Sequence, residues 1–371
     1  MPVAPGVSQS DDLSSDDLSS DDPSSVAGPL AADRLRKAVT TALPDADLRE
    51  ARPIEAGKND AYLLVAECEG DERELVLKVG DGDFAGGYRA EARVLSAVGE
   101  RTAIPVPEVV GTGAFGDDPS LLAERVPGSN PACDPETLAS EAFERVCADA
   151  GRNLALLHDT FPAGDCDLIP DDGWGMLALD AGAERLHFAR EFPDWPTYFE
   201  TWLAHNIDRL EDTRFDDLRP ALADRAEEFA AEVRSLAPFE SVLTHGDYRL
   251  GNLLVDPETG ATNGVVDWAT PTAAPPAWEL AVTEAILLDW PALDDSRQTE
   301  LRDRLFEEYR DESPGLLGRE EFETHRRRCR FGARLRLMVN LGEEMAGRSE
   351  SAVEARAREH RRALREFGVE V

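Results

Sequence analysis

Between Leu243 and Trp268 the chain reads LTHGDYRLGNLLVDPETGATNGVVDW, its densest cluster of groups able to do chemistry. Asp247 and Asn252 share one loop. Asp267 lies beyond the turn Pro257-Glu258-Thr259-Gly260, which separates NLLVD from GVVDW and signals a β-hairpin. A hairpin brings its two ends to the same place, so Asn252 and Asp267 can converge. Two hard oxygen ligands, completed by phosphate oxygens and water, suit magnesium. Asp247 could then lie beside an incoming hydroxyl, orient it and take its proton. From the residues alone, His245 could be a base, a ligand or a brace. Arg249 could reach a γ-phosphate or form a surface ion pair.

The elements that must position these groups can be read outward from the loop. AYLLVAE (61–67) and ELVLKV (74–79) are runs of strand length, separated by a polar turn over 69–73. Tyr88 to Val98 places Ala92, Leu95 and Val98 on one helical stripe. The Pro-rich IPVPEVV excludes helix, and SLLAERV (120–126) reads as a strand ending at Pro127-Gly128. Helical patterns follow at about 136–159, 194–212, 217–236, 276–289, 296–311, 319–346 and 352–367. The expected class is α+β and bilobal, with a small β-rich N-terminal lobe (31–126) and a large helical C-terminal lobe (127–371). The repeat SDDLSSDDLSSDDPSS (10–25) falls in a tail, 1–30, that is expected to be disordered because it cannot bury enough apolar surface.

HGDYRLGN followed by VVDW resembles the catalytic loop and downstream metal-binding aspartate of the aminoglycoside phosphotransferase-like family, within the protein-kinase-like superfamily. The resemblance implies an ATP-dependent transfer of a phosphoryl group to a hydroxyl. In it Asp247 is catalytic, Asn252 and Asp267 hold Mg2+, and His245 braces the loop. Lys78 in ELVLKV resembles the strand lysine that contacts the α- and β-phosphates, and Glu91 in YRAEARVLSAV the helix glutamate that pairs with it. By residue type alone, Lys78 could also be an edge-strand lysine and Glu91 a solvated helix residue. SLLAERVPG resembles the hinge strand, whose backbone near Glu124 and Val126 is expected to bond adenine. GKNDA (57–61) resembles the nucleotide-positioning loop, and His158 in GRNLALLHD is expected to be structural. The chain departs from the family where DWE is common, reading Trp268-Ala269, and at AAPPAWELA, where Glu279 replaces a common aspartate.

The acceptor side is expected within 165–215, where Trp174, Phe192, Asp194, Trp195, Tyr198 and Trp202 cluster. That aromatic stripe is first of all the pattern of plain helix packing, so it assigns no substrate residues. The expected acceptor is a small molecule: an aminoglycoside, another sugar or a choline-like alcohol. A nucleotide-binding regulator or scaffold without turnover is the second reading, motivated by the two departures. A metal-dependent hydrolase would need a second cluster of ligands, and no HEXXH pattern is present.

Composition bounds the partners. The 371 residues carry a formal net charge of −36, which repels nucleic acid and anionic membranes and suits a high-salt, halophilic cytoplasm. Lys37, Lys58 and Lys78 are the only lysines, so a lysine inside an apolar run stands out. Five cysteines without a CxxC pair read as reduced cytoplasmic thiols. The sequence shows neither a secretory leader pattern nor a run of eighteen apolar residues, so a cytoplasmic enzyme without membrane or nucleic-acid partners is expected.

Overall fold

The computed structural model describes residues 29–54, 60–80, 85–115, 118–131, 138–289, 293–315 and 317–371. The acidic repeat, Lys58 and most of the GKNDA loop, and Cys133 lie outside the described residues. Alternating burial builds the first layer. β1 (Asp47–Ile54), β2 (Asp60–Cys68), β3 (Asp71–Val79), β4 (Val109–Phe115) and β5 (Asp118–Glu124) form an antiparallel sheet in the order β1-β2-β3-β5-β4. In β3 the odd positions Leu75, Leu77 and Val79 pack with Leu35 and Val39 of α1 (Pro29–Ala42). With a side-chain period of two, Val76 and Lys78 must face the opposite side. There α2 (Ala85–Arg101) buries Val94, Leu95 and Val98 against Leu121 of β5. The pleat therefore aims Lys78 at α2, away from the α1 side.

The β2–β3 turn is tighter than the five residues expected. Glu69 and Gly70, at φ 55° and 94°, make the two-residue connection, with Cys68 opposite Asp71. Positive φ at both central positions matches the right-handed twist of the strands.

The C-terminal part is mostly helical: α3 (Ser140–Thr160), α4 (Trp195–Asp208), α5 (Arg219–Ser235), α6 (Pro276–Leu288), α7 (Asp295–Glu312), α8 (Glu320–Val339), α9 (Leu341–Glu344) and α10 (Glu350–Leu364). The α+β expectation holds. The single helix expected over 319–346 is instead two, broken at Asn340. Two short β regions frame the catalytic loop. β6 (Gly175–Ala178), β7 (His187–Phe188), β8 (Val242–Thr244) and β11 (Thr272–Ala274) form one sheet, ordered β7-β6-β11-β8. β9 (Leu253–Val255) pairs with β10 (Thr262–Val265) in the expected hairpin. Its turn is held by Asp256 Oδ1, which accepts from the backbone N–H of Glu258 at 2.9 Å and Thr259 at 2.8 Å.

A hydrophobic cluster joins the two parts, running from Val94 and Leu121 through Leu154 and Leu157 to Leu253, Val265 and Leu305. At its centre α3 and α7 meet backbone to backbone. A Cβ placed on Gly151 would lie 2.1 Å from the Leu305 carbonyl oxygen. Gly151→Ala is therefore expected to destabilise the fold by about 3 kcal/mol, the upper end of an overpacked core. Urea denaturation checks this; an unchanged midpoint would mean the two helices part without cost.

Candidate active site

The loop after β8 is fixed from both faces before any ligand enters. His245 is fully buried. Its Nε2 donates to the Val266 carbonyl at 3.0 Å and its Nδ1 accepts from the Asp247 backbone N–H at 3.2 Å. Burial lowers its pKa, so the ring is neutral. With both nitrogens on backbone and the ring centroid 4.5 Å from that of Trp268, it ties the loop to the segment carrying Asp267. The open choice for His245 resolves to a brace. His158 is structural as well: it is buried, burial lowers its pKa to about 3, and its Nδ1 lies 2.9 Å from the Tyr309 hydroxyl.

Asn252 ends a single 3-10 turn, Leu250–Asn252, and points its amide back across the loop. Its Nδ2 donates to the Asp247 carbonyl at 2.8 Å and to Asp247 Oδ2 at 2.9 Å. Arg249 Nε donates to the same Oδ2 at 2.9 Å. Arg336 of α8 donates from Nη2 to Asp247 Oδ1 and from Nη1 to the Gly246 carbonyl, the latter at 2.5 Å. Burial pushes the Asp247 carboxyl up, but the guanidinium groups of Arg336 and Arg249 outweigh it and hold it below the usual carboxylate range.

Asp267 comes alongside because the Val266 N–H donates to the Asn252 carbonyl at 2.9 Å. It adopts φ 66°, a left-handed conformation uncommon outside glycine and enriched in Asp and Asn. Its Oδ1 lies 3.3 Å from Lys78 Nζ. Lys78 donates to Glu91 Oε1 at 2.6 Å, and the Trp268 N–H donates to that oxygen at 3.3 Å. Burial opposes the Lys78 charge, yet Glu91 and Asp267 outweigh it and raise the ammonium's pKa. The structure thus brings Lys78, Glu91, Asp247, Asn252 and Asp267 to one cleft.

The site oxygens suit a hard cation. Because Nδ2 of Asn252 is engaged by Asp247, its Oδ1 faces away from that carboxylate. Asp267 is 40% exposed in its side chain and opens to the cleft. Among the described residues no group of three or more His, Cys, Asp or Glu could hold a metal ion. A cation here would draw its remaining ligands from phosphate and water, which is how magnesium is usually held.

Glu124 and Val126 flank the end of β5. The Glu124 carboxylate accepts from Arg73 Nε at 2.7 Å, and its N–H donates to the Glu108 carbonyl at 2.8 Å. Val126 sits over the hairpin: a Cβ on Gly264 would lie 2.8 Å from its Cγ1.

Glu279, the departure noted in AAPPAWELA, enters the site from α6. Both its oxygens accept from the Gly246 N–H, at 3.2 and 3.1 Å. It is fully buried, and burial lifts its carboxyl to about 7 against the opposing pull of Gly246, Thr244 and Arg336. A raised folded pKa means the folded state binds this proton more tightly than the unfolded chain. The associated stability is present at pH 4 and lost as pH rises through about 7. Relative to wild type, Glu279→Gln is expected to gain about 3 kcal/mol between pH 4 and pH 8. Denaturant titrations across that range check it; parallel curves would mean Glu279 ionises like a surface acid.

No residue pattern marks Arg336. It sits in a helix crowded with arginines, 89 positions from Asp247. The aromatic segment is mainly packing: Trp195 is buried, stacks on Phe199, meets Trp278 at a tilt, and donates from Nε1 to His325 Nε2 at 2.7 Å. No helix among the described residues is long and apolar enough to cross a membrane. Cys68, Cys147, Cys166 and Cys329 are free thiols.

Among solved structures, the fold is similar to a candidate aminoglycoside phosphotransferase from Ralstonia eutropha, with TM-score 0.61, 16% identity and coverage of 91% of this chain and 96% of that one. It is also similar to a microcompartment-associated aminopropanol kinase, with TM-score 0.55, 19% identity and coverage of 88% and 94%. The GDP complex of wild-type aminoglycoside 2'-phosphotransferase-IIIa matches with TM-score 0.53, 14% identity and coverage of 90% and 97%. At these identities the likeness is one of fold, the protein-kinase-like fold. No curated protein matches the chain. The model of the phosphotransferase enzyme family matches residues 50–322. With most of its length matched, the chain belongs to the phosphotransferase enzyme family.

Proposed function

We propose that the protein is a cytoplasmic, magnesium- and ATP-dependent kinase that phosphorylates a hydroxyl of a small molecule. The observation carrying this reading is the convergence of Lys78, bridged to Glu91 at 2.6 Å and Asp267 at 3.3 Å, on the loop where Asp247 and Asn252 meet at 2.9 Å. In this reading the backbone near Glu124 and Val126 receives the adenine, and Lys78, kept charged and oriented by Glu91, holds the α- and β-phosphates. Asn252 and Asp267 hold Mg2+, which offsets charge on the phosphates. Asp247 aims the acceptor hydroxyl at the γ-phosphorus and accepts its proton. The acceptor oxygen forms the new P–O bond, and the bond from the γ-phosphorus to the β,γ-bridging oxygen breaks, releasing ADP. Such a transition state is loose, so positioning and charge do most of the work.

The test is nucleotide consumption over a library of hydroxyl metabolites, in high-salt buffer with MgATP, alongside a thermal-shift titration with MgATP. Acceptor-dependent ADP release supports the reading. Saturable nucleotide binding with no transfer to any acceptor would instead favour a nucleotide-binding regulator on the same fold.

A further inference from the structure

The hydrogen bonds on Asp247 distinguish its two oxygens. Oδ2 takes two donors, Arg249 Nε at 2.9 Å and Asn252 Nδ2 at 2.9 Å. Among the described residues Oδ1 takes one, from Arg336 Nη2. A carboxylate oxygen has two lone pairs in plane, so Oδ2 is filled and Oδ1 keeps one position for another donor. The oxygen left for an acceptor hydroxyl is therefore the one Arg336 holds.

Arg336 also fixes the peptide behind that oxygen. Its Nη1 bonds the Gly246 carbonyl at 2.5 Å, while Glu279 bonds the Gly246 N–H from the other side. The Gly246 peptide is thus gripped between α6 and α8, at φ 78°. The guanidinium is one-quarter exposed, and its charge also reaches the Tyr198 hydroxyl and Glu279. Counting formal charges, Asp247 with Arg249 and Arg336 sums to −1 + 1 + 1 = +1, and Glu279 behind the Gly246 peptide, its carboxyl raised to about 7, offsets only part of that. In a chain of net charge −36, the position facing the acceptor is locally positive. Arg336 also lies beyond residues 50–322, the stretch matched by the family model.

We propose that Arg336 is the acceptor-side positioning residue: it presents Asp247 Oδ1 to the incoming hydroxyl and sets a fixed positive charge beside it, so the preferred acceptor carries a neutral or anionic group, not an ammonium, next to the hydroxyl phosphorylated. The inference rests on the phosphotransferase reading. The step is the one above, with the hydroxyl proton passing to Oδ1, the oxygen forming its bond to the γ-phosphorus, and ADP leaving.

The experiment compares wild type, Arg336→Gln and Arg336→Lys on matched acceptors: glucose and gluconate against glucosamine, and glycerol and glycerate against ethanolamine and choline. A cation about 5 Å from a second cation is disfavoured by roughly tenfold or more, so wild type should prefer the neutral and anionic members by at least that factor in kcat/KM. Arg336→Gln should lower kcat for those members and narrow the preference about tenfold, with MgATP affinity unchanged in the folded variant. Arg336→Lys, which keeps the charge but cannot span both oxygens, should lose kcat yet keep the preference. A preference for the amines, or a ratio unchanged in Arg336→Gln, overturns the proposal, because a merely structural arginine would scale all acceptors alike. Should wild type bind MgATP and transfer to none of the panel, the matched acceptors are drawn instead from the library hits, and only an empty library counts against the kinase reading. A crystal structure of Arg336→Gln with ADP and Mg2+ then judges the positioning: a reoriented Asp247 carboxylate supports it, and an unmoved one overturns it.

Discussion

Replacing Asp247 by asparagine is expected to cut phosphoryl transfer by about a thousandfold while leaving MgATP affinity within a few-fold of wild type. The carboxylate is surrounded by donors alone: Asn252 Nδ2, Arg249 Nε and Arg336 Nη2. An asparagine amide offers one acceptor oxygen and one NH2 group, so one of those donors must face another donor. The variant also lacks the base that takes the hydroxyl proton. Nucleotide contacts are assigned elsewhere, to Lys78, Asn252 and Asp267, and only Asn252 touches the altered side chain. Initial-rate kinetics beside calorimetric titration of MgATP give the comparison. Transfer within tenfold of wild type would sink the role of Asp247, whereas equal loss of binding and rate would mean that the loop had collapsed.

Much of this site was legible because its residues are local or periodic. HGDYRLGN and VVDW lie within one loop and hairpin, so spacing alone brings Asn252 towards Asp267. Lys78 was legible because lysines are scarce and this one stands inside an apolar run, which the burial of Leu75, Leu77 and Val79 shows to be a strand packed on one face. Three features were not legible, for different physical reasons. β1 (DLREARPI) carries so many charges that no apolar run marks it, and it forms by pairing with β2. β4 (VVGTGAF) has two glycines and directly follows a Pro-rich segment, so its local preference is weak and its pairing with β5 decides. Arg336 touches Asp247 only because α6 and α8 pack together, a tertiary fact with no trace in a sequence window. Glu279 lies between these cases. Its substitution is visible, but its two bonds to the Gly246 N–H required the fold.

Glu284→Ala is expected to destabilise the protein by about 2–3 kcal/mol, because it removes a buried carboxylate that three partly buried guanidinium groups share. Glu284 is 3% exposed, on the same helix as Glu279. It bonds Arg302 Nε of α7 at 2.6 Å and Arg326 Nη1 of α8 at 2.5 Å, with Arg330 Nε of α8 at 3.4 Å. Removing the carboxylate takes the shared acceptor from three partly exposed guanidinium groups; Arg326 keeps Glu323 at 2.9 Å and Arg330 keeps Glu366 at 3.5 Å, so the loss falls mainly on Arg302. Glu284→Gln keeps the volume and one acceptor and should lose less. Exposed pairs are the control: Glu350, paired with Arg214 at 2.6 Å and largely exposed, should give no measurable change on substitution by alanine. Salt separates the two classes further, since molar salt screens exposed charges far more than buried ones. The Glu284→Ala loss should therefore persist in high-salt urea titrations. The cluster also rivets α6 to α8, which carry Glu279 and Arg336 to either side of Gly246. Loosening it should depress kcat under conditions where the chain is still folded and still binds nucleotide. If Glu284→Ala and Glu350→Ala unfold together, the helices are held by their apolar faces alone, and the grip on the catalytic loop does not depend on this charge network.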